Sequence, residues 1–121
     1  FSSLIKEEDS NITVVKLDSI TPVTENNGDY RVYSIFPFDP RKKFEIFTVE
    51  IEPGCTHVSE RHNEGLEEYI TVLTGQLELV IGEESRVLEP GDSIRFLANK
   101  THTYKNIGSE LATYQLVMHY P

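Results

Sequence analysis

A single cysteine, Cys55, among 121 residues leaves no partner for an internal disulfide. Basic residues are also scarce. Eleven Lys and Arg stand against twenty Asp and Glu, a formal charge of −9 with a pI near 4.8. A surface of that sign repels phosphate backbones, so this chain is not expected to grip DNA or RNA by itself. There is no charged-then-apolar leader and no apolar run long enough to span a bilayer, and the expectation is a soluble, cytoplasmic protein without membrane contact. No window sustains a three-to-four-residue apolar period, and neither a repeat nor a low-complexity tract is visible, so helix should be minor. No Ser-His-Asp order, phosphate-cradling Gly loop or carboxylate pair for glycoside chemistry can be picked out.

What is present is alternation punctuated by turn residues. At this length folding should bury roughly two thirds of the unfolded surface, enough for one domain. Residues 1–10, with the acidic run KEEDS, read as a linker remnant, and 11–121 as the folded domain. Ile12, Val14 and Val15 suit a first strand. The turn NNGD, with Asn27 and Gly28 able to take positive φ, leads into YRVYSIF and predicts a hairpin. Prolines 37 and 40 mark PFDPRKK as a loop. KFEIFTVEIEPG carries apolar residues on both faces, as a central strand does. LTGQLELVIG, VLEPGDSIRFLA and ATYQLVMHYP continue the series, separated by GEESR and IGSEL. Eight or more short strands indicate an all-β sandwich or barrel of the jelly-roll type.

The chemistry gathers in two stretches, PGCTHVSERHNEGLEEYITVLTG (residues 53–75) and EPGDSIRFLANKTHTYKN (residues 89–106). His62 and Glu68 come from the first and His102 from the second. Two neutral imidazoles and a carboxylate are what a first-row divalent metal takes as ligands, with positions left for water or a small molecule. The same side chains can also simply line the polar end of a β core. Ile70, Phe96 and Tyr104, with Tyr69, can line a ligand cavity or be plain core. Asn106 reads as a turn brace, Cys55 as a small hydrophobe, and Gly54, Gly75 and Gly91 as sites of positive φ or close strand approach.

Together the two stretches resemble the paired motifs of the cupin superfamily. Gly54, His62, Glu68 and Gly75 match the first motif, and Pro90, Gly91, His102 and Asn106 the second. The six residues between Glu68 and Gly75 select Glu68 over Glu67. The resemblance implies a cupin fold, a double-stranded β-helix or jelly-roll barrel that often carries a metal. It departs at the first His of the usual His-x-His pair, where Glu60 stands and His57 lies three residues earlier, so Glu60 or His57 is the candidate fourth ligand. Glu60 would favour manganese or iron, and His57 zinc or nickel.

A narrower resemblance covers nearly the whole chain. FEIFTVEIEPG, HNEGLEEYITVLTGQLEL, LEPGDSIRFLANKTHTYKN and the closing HYP look like the C-terminal cupin of bacterial XRE-type regulators, in which an N-terminal helix-turn-helix reads DNA. This implies a non-enzymatic sensing and dimerising domain for a small-molecule effector, touching DNA only through a segment absent from this sequence. A start at Phe1 rather than Met fits such a piece. The alternative is a stand-alone metal-dependent cupin enzyme, an oxygenase or isomerase.

Overall fold

The computed structural model describes residues 11–62 and 65–121. The linker assignment for residues 1–10 lies outside them. Ten strands follow one another: β1 (Val23–Glu25), β2 (Tyr30–Phe36), β3 (Phe44–Ile51), β4 (Thr56–Ser59), β5 (Glu67–Thr74), β6 (Leu77–Ile81), β7 (Glu84–Leu88), β8 (Ser93–Leu97), β9 (His102–Asn106) and β10 (Ala112–His119). The helix among the described residues amounts to two 3-10 turns, Leu17–Ser19 and Asn26–Gly28. The all-β cupin expectation is met, as two apposed sheets whose edges do not fully close. The expected strand over Ile12, Val14 and Val15 does not form. Ile12 and Val14 stay largely exposed, and β propensity without a half-buried surface to pack on does not make a strand.

One sheet runs β1-β2-β3-β10-β5-β8 and the other β4-β9-β6-β7, with every pairing antiparallel. β10 lies between β3 and β5, paired along nearly its full length with both. Its alternation explains the position, because Ala112, Tyr114 and Leu116 are buried against the second sheet while the residues between them face out. Val49 and Ile51 of β3, Ile70 and Val72 of β5, and Leu77 and Leu79 of β6 complete the core. Each such aliphatic side chain contributes roughly 1.5–3 kcal/mol relative to exposure. Cys55 joins this core, and burial pushes its thiol pKa up, which suits a small hydrophobe and not a reactive thiolate.

Turn chemistry sets the strand order. Asn26, Asn27 and Gly28 all take positive φ in the β1–β2 connection, the left-handed conformation that Asn and Gly tolerate best. Gly75 is required twice over at the β5–β6 turn. Its φ is +76°, and a Cβ there would sit 2.7 Å from the Ala112 Cα. Asn106 braces the end of β9: its Nδ2 donates to the carbonyls of Ile51 (2.9 Å) and Glu110 (2.8 Å), and its Oδ1 accepts from the Gly108 N–H at 2.9 Å.

The sandwich has two seams where sheet edges meet. At the β1/β4 seam Asn26 Nδ2 donates to the Thr56 carbonyl (3.2 Å), and Asn26 Oδ1 lies 2.8 Å from His57 Nδ1. The β7/β8 seam has no comparable side-chain latch among the described residues, and a groove of about 430 Å3 lies there.

Candidate metal centre

Alternation decides which carboxylate of the Glu67-Glu68 pair reaches the interior. Glu68 shares the inward face of β5 with Ile70 and Val72 and is fully buried. Glu67 faces out, where Arg95 Nη1 meets its Oε2 at 2.8 Å. His102, the first residue of β9, points inward with Tyr104 and Asn106. His62 arrives differently, from the segment that leaves β4 at Ser59. Its backbone N–H donates to the Ala98 carbonyl at 2.7 Å, which ties that segment to the β8–β9 connection.

These three side chains meet. Their ligand-type atoms all lie within 4.8 Å of one another. Glu68 Oε2 is 3.5 Å from His62 Nε2 and 3.2 Å from His102 Nε2, yet none of the three atoms completes a hydrogen bond with the protein. Buried polar atoms without partners are costly, on the order of 1–3 kcal/mol each. Three aimed at one point therefore call for an occupant.

The remaining atoms of the same groups are already held. Tyr104 Oη donates to Glu68 Oε1 at 2.6 Å, leaving Oε2 as the open oxygen. His102 Nδ1 is 2.9 Å from the Lys100 carbonyl, so Nδ1 carries a proton and Nε2 is the ring nitrogen turned toward Glu68. Burial alone would lower the His102 pKa, but the Glu68 carboxylate and the Lys100 carbonyl outweigh it and hold it raised. Burial first, and then the Glu68 charge, push the Tyr104 phenol well above its ordinary range, so it remains a donor at any physiological pH. Two imidazole nitrogens and one carboxylate oxygen, with their outer atoms fixed, are a fitting donor set for a divalent transition metal.

The two candidates for a fourth ligand lie elsewhere. β4 ends at Ser59, so no regular strand sets Glu60 on one face with His62, and Glu60 is exposed. His57 points inward but stacks on Tyr30, with ring centroids 3.7 Å apart. Burial lowers its pKa, against the raising effect of the nearby Glu25 carboxylate. Neither residue belongs to the three-atom group.

Of the expected cavity residues, Ile70 and Tyr104 are core, and Tyr69 lies on the outer face of its sheet. Phe96 stands edge-on to His102, with ring centroids 5.3 Å apart. The Tyr104–Glu68 bond is signalled in the sequence by the period of two along β9, which places His102 and Tyr104 on one face.

Residues 47–119 match the Cupin_2 family, the Cupin domain. Over 90 residues the chain is 36% identical to the HTH-type transcriptional regulator SutR of Escherichia coli strain K12, covering 74% of this chain and 51% of that protein. The chain thus spans about half the length of this curated relative. Its fold is similar to the crystal structure of the Cupin_2 domain of an XRE family transcriptional regulator from Enterobacter cloacae. The TM-score is 0.74 and the identity 34%, over 77% of this chain and 98% of the other. A predicted oxalate decarboxylase from Thermotoga maritima has a TM-score of 0.77 over 90% of this chain and 100% of the other, and at 18% identity shows the fold alone. On its family match, its strand order and its paired motifs, this chain belongs to the cupin family.

Proposed function

We propose that this chain is the effector-sensing and dimerising domain of a bacterial transcriptional regulator, and that it holds a divalent metal on His62, Glu68 and His102. The observation that carries the metal reading is the convergence, within 4.8 Å, of three buried ligand-type atoms that make no hydrogen bond outside their own cluster. The regulator reading is supported by the likeness to SutR and to the Enterobacter cloacae regulator domain. A metal so bound supplies open coordination positions for a small molecule. The chain's own part is to fix the donors. Tyr104 orients Glu68, the Lys100 carbonyl sets the His102 tautomer, and the partly exposed His62 stands on the solvent side of the cluster.

DNA contact belongs to an N-terminal helix-turn-helix that this sequence does not include, in keeping with the charge of −9. The effector acts by binding one arrangement of two subunits better than another, since equal affinity for both shifts nothing. Exposed Phe36 and Phe38, which line an apolar hollow with Phe44 and Ile46, support a homodimer, testable by light scattering at micromolar concentration. No helix among the described residues is long and apolar enough to cross a membrane, and the regulator reading places the protein in the cytoplasm.

The experiment is elemental analysis of protein purified without chelator or metal-affinity resin, beside His62→Ala and His102→Ala. Near-stoichiometric zinc, manganese, iron or nickel, lost in both variants, is the expected result. Protein without metal that also fails to take up added metal would overturn the metal centre. Metal-dependent catalysis is the second reading, favoured by the donor set itself, since two histidines and one carboxylate with open positions also serve iron oxygenases. Oxygen consumption or carbonyl isomerisation by the iron-loaded protein would move the conclusion there.

A further inference from the structure

At the β7/β8 seam the core-facing register of β7 turns from apolar to charged. In the β6–β7 register Leu88, Arg86 and Glu84 lie opposite Leu77, Leu79 and Ile81. The face of β7 that continues the core therefore changes from a buried leucine to two charged side chains. Inward charge on an edge strand discourages pairing with another chain, but that purpose needs no cavity behind it. Here the groove runs between the free edges of the two sheets and is lined by Ile81, Ile94 and Phe96 together with Arg86, Lys100 and the outward-turned Arg95.

Glu84, whose Oε1 is 3.2 Å from Arg86 Nη2, also lines it. Arg95 is engaged by Glu67, whereas Lys100 forms no ion pair among the described residues. With Arg95 taken up by Glu67, Arg86 and Lys100 stand against one lining carboxylate, Glu84, the reverse of the chain's overall balance of eleven basic to twenty acidic residues. A volume of about 430 Å3 is in the range of small-molecule sites.

We propose that this groove binds a small organic anion with an apolar body, its carboxylate between Arg86 and Lys100 and its hydrocarbon against Ile81, Ile94 and Phe96. The site is separate from the metal cluster and needs no metal. It lies one ring away, since the groove-lining Phe96 stands edge-on to His102. A ligand pressed on Phe96 thus has a direct packing route to a metal-site residue.

The test is a titration of the chelator-treated 121-residue chain with hexanoate, followed by amide NMR, with hexanol and sulfate as controls. Hexanoate should give saturable shifts centred on Ile81, Phe96 and Lys100. The double variant Arg86→Gln/Lys100→Gln should bind about tenfold or more weakly, as expected for lost charge-assisted bonds. Both side chains are exposed, so the variant should keep its melting temperature. Hexanol should bind at least tenfold more weakly than hexanoate. Equal affinity in wild type and double variant, or saturable shifts centred away from the groove, would overturn the proposal. Sulfate matching hexanoate would overturn its apolar half. Because metal has been removed, hexanoate binding survives a failure of the metal reading, and its absence leaves that reading untouched.

Discussion

Tyr104→Phe isolates a side chain that holds a candidate ligand without being one. The substitution removes a single oxygen, which donates to Glu68 Oε1 at 2.6 Å between two fully buried residues. The ring keeps its stacking on Tyr114, whose centroid is 5.6 Å away. A hydrogen bond to a charged acceptor contributes about 1.5–3 kcal/mol, so denaturant unfolding with chelator should show a loss of that size. Loss of an outer partner of a metal ligand typically weakens metal binding about 10–100-fold, and zinc and manganese titrations against a competing chelator should read that drop. Tyr30→Phe is the control. It breaks the 3.1 Å Tyr30–Tyr114 hydroxyl pair without touching Glu68, and should cost about 1 kcal/mol with metal affinity unchanged. Tyr104→Phe with metal affinity within twofold of wild type would refute the reasoning, and would reduce Tyr104 to a space-filling ring.

Asn106→Ala removes the three hydrogen bonds that brace the β9–β10 connection. It should lower unfolding free energy by about 3 kcal/mol, read by denaturant unfolding, while metal stoichiometry stays intact. Gly75→Ala meets the Ala112 backbone at positive φ and should destabilise by more than about 1 kcal/mol, seen as a lower melting temperature. Tyr120 donates to Glu45, and burial, followed by that carboxylate, pushes its phenol up to about 12. A raised folded-state pKa gives stability that is present below the unfolded value of about 10 and lost as pH rises through the folded one. The stability of wild type relative to Tyr120→Phe should therefore shrink from pH about 10 through about 12, and a difference independent of pH would contradict this. Replacing the cluster and its brace by apolar groups, Glu68→Met/His102→Phe/Tyr104→Phe, should leave chelator-treated protein within about 2 kcal/mol of wild type, yet abolish any rise in melting temperature with added metal.

Much of this could be read from residue order alone because β structure writes its period into the sequence. The hairpin at NNGD, the Pro-marked loop and the central place of β3 follow from turn chemistry and alternation. So does the inward aim of Glu68, once β5 is recognised as alternating. What could not be read depends on where a strand stops. Positions 60 and 62 share a face only in an extended strand, and β4 ends at Ser59, so the donor His62 is delivered by a connecting segment tied to Ala98. The failed strand over residues 12–15 is the opposite case, where local preference suits a strand but Ile12 and Val14 stay largely exposed. The seam groove is also a tertiary fact, since Arg86 and Arg95 sit on strands from different sheets.

The two seams explain how one sandwich can carry both a rigid cluster and an open side. At the β1/β4 edge, Asn26 joins the strands through a backbone carbonyl and an imidazole, and the His57–Tyr30 stack fills the space behind. Closure on that side leaves the Tyr30, Tyr104 and Tyr114 rings little room to move, and the Tyr104 hydroxyl is thereby fixed on Glu68. At the β7/β8 edge the core-facing register of β7 carries Arg86 and Glu84 instead of apolar side chains, and bringing the edges together buries less apolar surface. The latched seam thus supplies the preorganisation that three unpaired donor atoms require if they are not to collapse onto other partners. The open seam supplies access up to Phe96, whose ring stands edge-on to the imidazole of His102.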